Sequence, residues 1–264
     1  SVNHNQLKKI ISNFDILIVR NKTQVNKEIL ENASSLKFIG RLGVGLDNID
    51  TDYCKNNNIH VQPATGMNAD SVAEYVINTS LSLLKNVPIM HQETCLGNWP
   101  RTSIFSRELR GKIFGLIGFG LIAKKVSAIA KIFNAQIIAY DPFIDSSNEG
   151  EFNVKLVDIN EIFEKADIIS IHSPLTPTTK NLLNYEAFKK MQKQPIIINS
   201  SRGSIINEED LLKAYDEKLI SGFGLDVYEI EPVPKSLLNN IKDNTNCILT
   251  PHVAGVTEES NIRV

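Results

Sequence analysis

The chain has 264 residues, 42% of them hydrophobic and 22% charged, with 28 Lys+Arg against 30 Asp+Glu for a formal net charge of −2. That apolar fraction excludes a disordered segment or a small stapled peptide and is enough for one large or two modest cores. The near-balance of charge excludes a global basic field drawing the protein to nucleic acid or an anionic membrane, and leaves only local anion pockets open.

Cys54, Cys95 and Cys247 are odd in number and far apart, with no CxxC and no interleaved histidines. Reduced thiols are therefore expected, with no disulfide framework and no metal site. No apolar run approaches the ~20 residues of a membrane span, and no basic region leads into an apolar core at the N-terminus. The expectation is a cytoplasmic protein.

Along the chain, apolar runs bounded by polar turns recur at 15–20, 37–40, 59–61, 113–117, 136–140, 167–172, 196–199, 222–226 and 247–250 and read as buried strands. Between them lie helical spacings, such as Val72, Val76, Ile77, Leu81, Leu84 and Val126, Ile129, Ala130, Phe133. A long helix starts near Asp70, with Asp70 or Ser71 as its cap, and carries the chain from a first domain into a second. Alternating strand and helix predicts an α/β protein with parallel sheets under covering helices.

The sharpest local pattern follows the fourth strand, where Gly118, Gly120 and Ala123 stand in G-x-G-x-x-G/A spacing ahead of a helix. Gly118 permits the tight turn, Gly120 lets backbone approach a pyrophosphate, and Ala123 keeps helix and strand close. The next strand ends at Asp141, where a carboxylate accepts hydrogen bonds from a ribose and repels a 2′-phosphate, which favours NAD over NADP. Arg202, Glu231 and His252 each follow a later strand, at the edge where open α/β sheets bind ligands. Taken singly, Arg202 fits a salt-bridge partner as well as a ligand clamp, Glu231 a solvated loop carboxylate, and His252 a turn residue as well as an acid–base group. Their joint placement favours a site.

These features sit within longer motifs: GRLGVGLDNID, NADSVAEYV, GFGLIA, Tyr140-Asp141-Pro142, His172-Ser173-Pro174-Leu175-Thr176-Pro177, NSSRGSIINEEDLL, GLDVYEIEP and TPHVAG. From about Asp15 to its last residue the chain resembles the D-isomer-specific 2-hydroxyacid dehydrogenase family, and particularly its D-3-phosphoglycerate dehydrogenase branch. The resemblance implies a Rossmann-type doubly wound parallel sheet plus a smaller flavodoxin-like substrate domain. The smaller domain would span residues 1–69, completed by about 258–264, and the NAD-binding domain 70–257, with a cleft between them and hinges near Ala69 and Thr257.

It further implies a catalytic set of Arg202, Glu231 and His252, in which His252 moves a proton at the C2 oxygen of a small 2-hydroxy or 2-keto acid. Glu231 would steady the imidazolium, and Arg202 would hold carboxylate and carbonyl oxygen. The cofactor NAD would meet Gly118, Gly120, Leu121 and Ile122 at its pyrophosphate and Asp141 and Pro142 at its ribose. Ser173 and Pro174 fall on the adenosine side, and Asp226 at the carboxamide. Val44, His172, Ser200, Ser201, Arg202, His252 and Ala254 complete the cofactor contacts, and His172, which ends a strand, reads equally as a support of the fold.

Gly43, Val44 and Gly45 would form the substrate loop, with Arg202 and His252 also touching substrate. Arg20, Lys22 and Arg41 are the candidates for a distal phosphate, so 3-phosphoglycerate and 3-phosphohydroxypyruvate are the expected pair. A sulfonate would satisfy the same cations, making a sulfolactate-type acid the rival, with hydroxypyruvate or glyoxylate as another. Two departures bear on this: Pro63-Ala64-Thr65 stands where Asn-x-Pro is usual, and Leu121 where an Arg is frequent. The family also implies a homodimer through the NAD-binding domain, with Trp99 as a packing or dimer residue, while His4, His60 and His91 read as surface or packing residues. It contains NAD(H)-sensing co-repressors as well, a binding-scaffold alternative that turnover of any small keto acid would separate from an enzyme.

Overall fold

The computed structural model describes residues 2–144, 153–241 and 246–264. The chain divides into two compact units, one of Ser1–Asn68 with Val256–Val264 and one of Ala69–Gly255.

The smaller unit is built on three parallel strands, β1 (Ile16–Val19), β2 (Phe38–Arg41) and β3 (His60–Pro63), adjacent in that order. Helix α1 (His4–Ile10) precedes β1, and α2 (Lys27–Leu30) and α3 (Thr51–Asn56) join the strands, each helix opened by a short polar residue. The side chains of Asn3, Asn26 and Asp50 accept from the backbone N–H of Gln6, Ile29 and Tyr53, satisfying donors that the first turn leaves without an intrahelical partner. Leu7, Ile11, Val25, Ile29, Ile39 and Ile49 meet in its core.

The larger unit opens on α4 (Ala69–Leu84) and α5 (Val87–Cys95). Its sheet has seven strands: β4 (Ile113–Ile117), β5 (Gln136–Tyr140), β6 (Lys155–Leu156), β7 (Ile168–Ile171), β8 (Ile196–Asn199), β9 (Gly222–Leu225) and β10 (Cys247–Leu249). All pair in parallel, in the order β10-β9-β8-β7-β4-β5-β6. The chain thus moves outward from β4 through β5 to β6, returns to the other side of β4, and moves outward again, which puts the switch point between β4 and β7.

Both faces are covered, and the period of two sorts the side chains. Ile196 and Ile198 of β8 join the cluster under α4 and α6 (Leu121–Ile132), with Val76, Leu83, Val126 and Ala130. Ile197 joins the opposite cluster under α7 (Ile159–Lys165), α8 (Tyr185–Lys189) and α9 (Glu208–Asp216), with Ile162, Phe188 and Leu211. Among the described residues no helix is long and apolar enough to cross a membrane.

Each of the nine expected strands has a counterpart within a residue or two. Strand β6 was not expected, because two residues with one exposed lysine carry no hydrophobic alternation. The start of α4 also differs: the helix begins at Ala69, so Asp70 lies inside its first turn, where its carboxylate pairs with Lys125 Nζ at 2.5 Å and sits at the positive end of the helix.

Candidate active site

At the switch point, the turn after β4 is shaped by its two glycines. Gly118 has φ +86°, and a Cβ there would lie 2.8 Å from Ser173 N and 2.9 Å from the His172 carbonyl carbon. Its N–H donates to Tyr140 O at 2.8 Å. Gly120 is the opposite case: a Cβ there meets no atom within 4 Å, and no side chain caps the helix that Gly120 opens. An N-terminus of this kind presents backbone donors and a positive dipole end to an anion, with space where only a hydrogen stands.

Asp141, just past β5, holds the turn in place, its Oδ2 accepting from Phe119 N (2.8 Å) and its Oδ1 from Phe143 N (2.9 Å). Pro142, Leu121 and Pro174 are exposed, and Ile122 is half-buried. Three polar atoms at the carboxyl ends of β7 and β8, His172 Nε2, Ser173 Oγ and Ser200 Oγ, are shielded from solvent with no hydrogen-bond partner among the described residues. Buried polar atoms without partners are disfavoured unless a ligand or water satisfies them. The glycine cradle, the carboxylate at the end of β5 and these orphaned atoms together fit a dinucleotide. Burial pushes the His172 imidazole down to about 3, so it stays neutral. Ser201 Oγ donates to Ser173 O, tying the two strand ends together.

Arg202, Glu231 and His252 lie after β8, β9 and β10, which are neighbours in the sheet. Arg202 follows β8, where buried Asn199 accepts from Ser201 N (3.0 Å) and donates to Arg202 O (2.8 Å). The Arg202 guanidinium donates from Nη1 to Ser201 O at 2.6 Å. Glu231 follows β9 in an exposed loop, with Oε1 accepting from Tyr228 N. His252 follows β10 with φ +58°, a left-handed conformation uncommon outside glycine. Its Nδ1 stands 2.9 Å from Glu231 Oε2. Beside a carboxylate, Nδ1 carries the proton and Nε2 is left for other chemistry.

Asp226 ends β9 with 1% exposure, and its carboxylate faces the His252 loop. It accepts from Thr250 Oγ1 (2.5 Å), Val253 N (2.8 Å) and Ala254 N (2.8 Å), bracketing His252 on both sides. Tyr75 of α4 reaches this group through Thr250, at 2.7 Å between hydroxyl oxygens. Sequence reading passed over Tyr75 and the Thr250 side chain, because a tyrosine among apolar helix positions carries only a core signal.

In the smaller unit, Arg20 and Lys22 follow β1 and are exposed, and Asn48 Nδ2 donates to Arg20 O (3.0 Å) and Thr23 O (2.7 Å) to hold that turn. Arg41 ends β2, its Nη1 donating to Leu42 O at 2.6 Å, and its guanidinium covers Gly43 so closely that a Cβ there would lie 2.1 Å from Nη1. Gly43, Val44 and Gly45 follow directly, with Val44 exposed. Three cations and a glycine-bearing loop therefore share the carboxyl edge of this sheet.

A family profile described as D-isomer specific 2-hydroxyacid dehydrogenase, NAD binding domain, matches residues 77–254. The chain belongs to the D-isomer-specific 2-hydroxyacid dehydrogenase family. It is thus an oxidoreductase with NAD as cofactor, and the glycine turn, Asp141 and the strand ends lie inside the matched region. Among this family's members, an (S)-sulfolactate dehydrogenase of Chromohalobacter salexigens is 39% identical over 250 residues, covering 94% of this chain and 80% of that one. A D-3-phosphoglycerate dehydrogenase of Methanocaldococcus jannaschii is 40% identical over 256 residues, covering 97% of this chain, which spans about half (48%) of that enzyme. The crystal structure of a D-lactate dehydrogenase from Aquifex aeolicus, complexed with NAD and lactic acid, superposes with a TM-score of 0.88 at 30% identity, covering 100% of this chain and 82% of that one.

Proposed function

We propose that the chain interconverts a three-carbon 2-keto acid bearing a distal anionic group and its 2-hydroxy acid, with 3-phosphohydroxypyruvate and 3-phosphoglycerate as the pair. The observation that carries the reaction is the 2.9 Å contact between His252 Nδ1 and Glu231 Oε2 on a loop held by Asp226. Glu231 accepts a hydrogen bond from Nδ1–H and stabilises the imidazolium, so Nε2 is the atom that donates a proton to the C2 oxygen in reduction and takes it back in oxidation. Arg202 forks onto the substrate carboxylate and the C2 oxygen, aligning the carbonyl and stabilising charge that develops on it. Bound NADH supplies the hydride that reduces C2. The N-terminus of α6, from Gly120 through Leu121 and Ile122, holds the pyrophosphate, and Asp141 binds the ribose hydroxyls. His172, Ser173 and Ser200 acquire partners along the strand ends.

Substrate choice rests on Arg20, Lys22 and Arg41, whose cations suit a phosphate or sulfonate on C3. The likeness to a D-3-phosphoglycerate dehydrogenase supports the phosphate; the likeness to a sulfolactate dehydrogenase makes sulfopyruvate the direct competitor. Following NADH loss at 340 nm with 3-phosphohydroxypyruvate, sulfopyruvate and hydroxypyruvate compares catalytic efficiency across the three. The expected order puts the phosphorylated acid first, and Arg41→Ala lowers kcat/KM for the two acids with a distal anion by ~10-fold or more while changing hydroxypyruvate little, as loss of a charge-assisted contact requires. A preference for sulfopyruvate or hydroxypyruvate overturns the substrate and keeps the chemistry.

We also propose a homodimer through α5 and the stretch that follows it.

A further inference from the structure

We infer that Tyr75 is a positioning residue for proton transfer, acting on His252 through a hydroxyl relay that ends on Asp226. The inference rests on His252 being the proton-transfer group, as proposed above. Thr250 Oγ1 lies 2.5 Å from Asp226 Oδ1 and 2.7 Å from Tyr75 Oη. A carboxylate only accepts, so the single Thr250 hydroxyl proton is directed to Asp226. The lone pair left on Thr250 Oγ1 then faces Tyr75, which must be the donor. Burial pushes the Tyr75 hydroxyl up, which keeps it protonated and able to donate. The direction of the whole chain follows: Tyr75 O–H to Thr250 Oγ1, Thr250 O–H to Asp226 Oδ1.

At its far end the relay meets the backbone that presents His252. Asp226 Oδ1 also accepts from Val253 N and Oδ2 from Ala254 N, each at 2.8 Å, while His252 N donates to Thr250 O at 3.1 Å. Tyr228 Oη donates to the Thr250 carbonyl as well, at 3.1 Å. His252 itself is held at φ +58°, so its orientation depends on the fixed residues on either side. Asp226 is one acceptor shared by three donors; with Thr250 oriented by Tyr75, its carboxylate plane is set to meet both backbone N–H groups. Without the Tyr75 hydroxyl, Thr250 is free to rotate its proton away, and the carboxylate loses the contact that fixes its plane. The imidazole then samples positions in which Nδ1 leaves Glu231 and Nε2 leaves the line to the C2 oxygen. Tyr75 touches neither His252 nor Glu231 in this arrangement, and its effect is on geometry alone.

The test uses the full chain with NADH and the preferred keto acid. Tyr75→Phe removes one oxygen and is expected to lower kcat roughly 3- to 10-fold, since small misplacements of a proton donor are strongly felt in rate. KM for the keto acid and the NADH dissociation constant, read by fluorescence, stay within about threefold, a split that general loosening of the unit does not produce. Thr250→Val cuts the relay and lowers kcat at least as far, Thr250→Ser restores it, and the double variant Y75F/T250V is no slower than T250V alone. Wild-type kcat in a folded Y75F, or losses that multiply in the double variant, overturns the relay. If Y75F folds poorly, the valine–serine pair decides: equal rates in T250V and T250S leave Tyr75 nothing to act through. His252→Gln is measured beside them. Wild-type turnover there overturns the proton-transfer reading itself, and loss of turnover there with an unchanged Y75F overturns the relay alone.

Discussion

His172 closes β7 with Nε2 shielded from solvent, and burial pushes its pKa down to about 3 from an ordinary 6.5. The unfolded chain therefore binds a proton below pH 6.5 that the folded chain refuses. Stability attributable to this residue is fully present above pH 6.5 and is lost as pH falls toward 3, at up to about 1.4 kcal/mol per pH unit. Thermal melting at pH 7.5 and pH 5.0 checks this: wild type loses stability between the two, and His172→Asn, which cannot titrate, loses measurably less. An equal loss in both removes His172 from the acid response. His252, by contrast, is exposed, with Nδ1 2.9 Å from Glu231 Oε2, the contact on which the proposed proton transfer rests.

At the scale of elements, the turn between β4 and α6 separates two uses of glycine. Gly118→Ala forces a side chain into the backbone of 172–173 at a positive φ, so it is expected to destabilise the fold by about 1–3 kcal/mol and weaken NADH binding with it. Gly120→Ala meets no protein atom, so melting stays near wild type while NADH affinity falls roughly 10-fold or more, the methyl occupying space that a pyrophosphate needs. Equal melting losses in the two variants would show that both glycines serve the fold. The same turn shows what the amino-acid order makes legible. The G-x-G-x-x-A spacing, the carboxylate at 141 and the strand-end positions of Arg202, Glu231 and His252 are local patterns, readable wherever hydrophobic runs mark the strands. Asp226 was legible as a strand-end residue, but its three hydrogen bonds to 250–254 join segments more than twenty residues apart and leave no periodic trace. Tyr75 was illegible for a similar reason. Its hydroxyl meets Thr250 from a helix on the far side of the sequence, and its ring is indistinguishable from core. Strand β6 is too short and polar to announce itself, and exists because its backbone pairs with β5.

For the molecule as a whole, the decisive surface is apolar. No residue of α5 is buried, and Val87, Leu96, Trp99 and Phe105 are 49%, 69%, 79% and 82% exposed across that helix and the stretch after it. Singly exposed apolar residues are ordinary, but four large ones within twenty residues, two of them aromatic, are the composition of an interface core. With a formal net charge of −2 there is little electrostatic repulsion to keep two copies apart. A second copy presenting the same segment is the simplest cover, because a two-fold axis lets one patch satisfy itself and closes without further growth. Light scattering coupled to gel filtration is expected to give twice the 29.4 kDa chain mass, and a melting temperature that rises with protein concentration. Replacing Trp99 and Phe105 together by Ser removes the exposed aromatic area of this stretch and is expected to give a monomer. A wild-type mass of one chain at all concentrations would overturn the dimer, and a dimer that survives the double substitution would move the interface elsewhere.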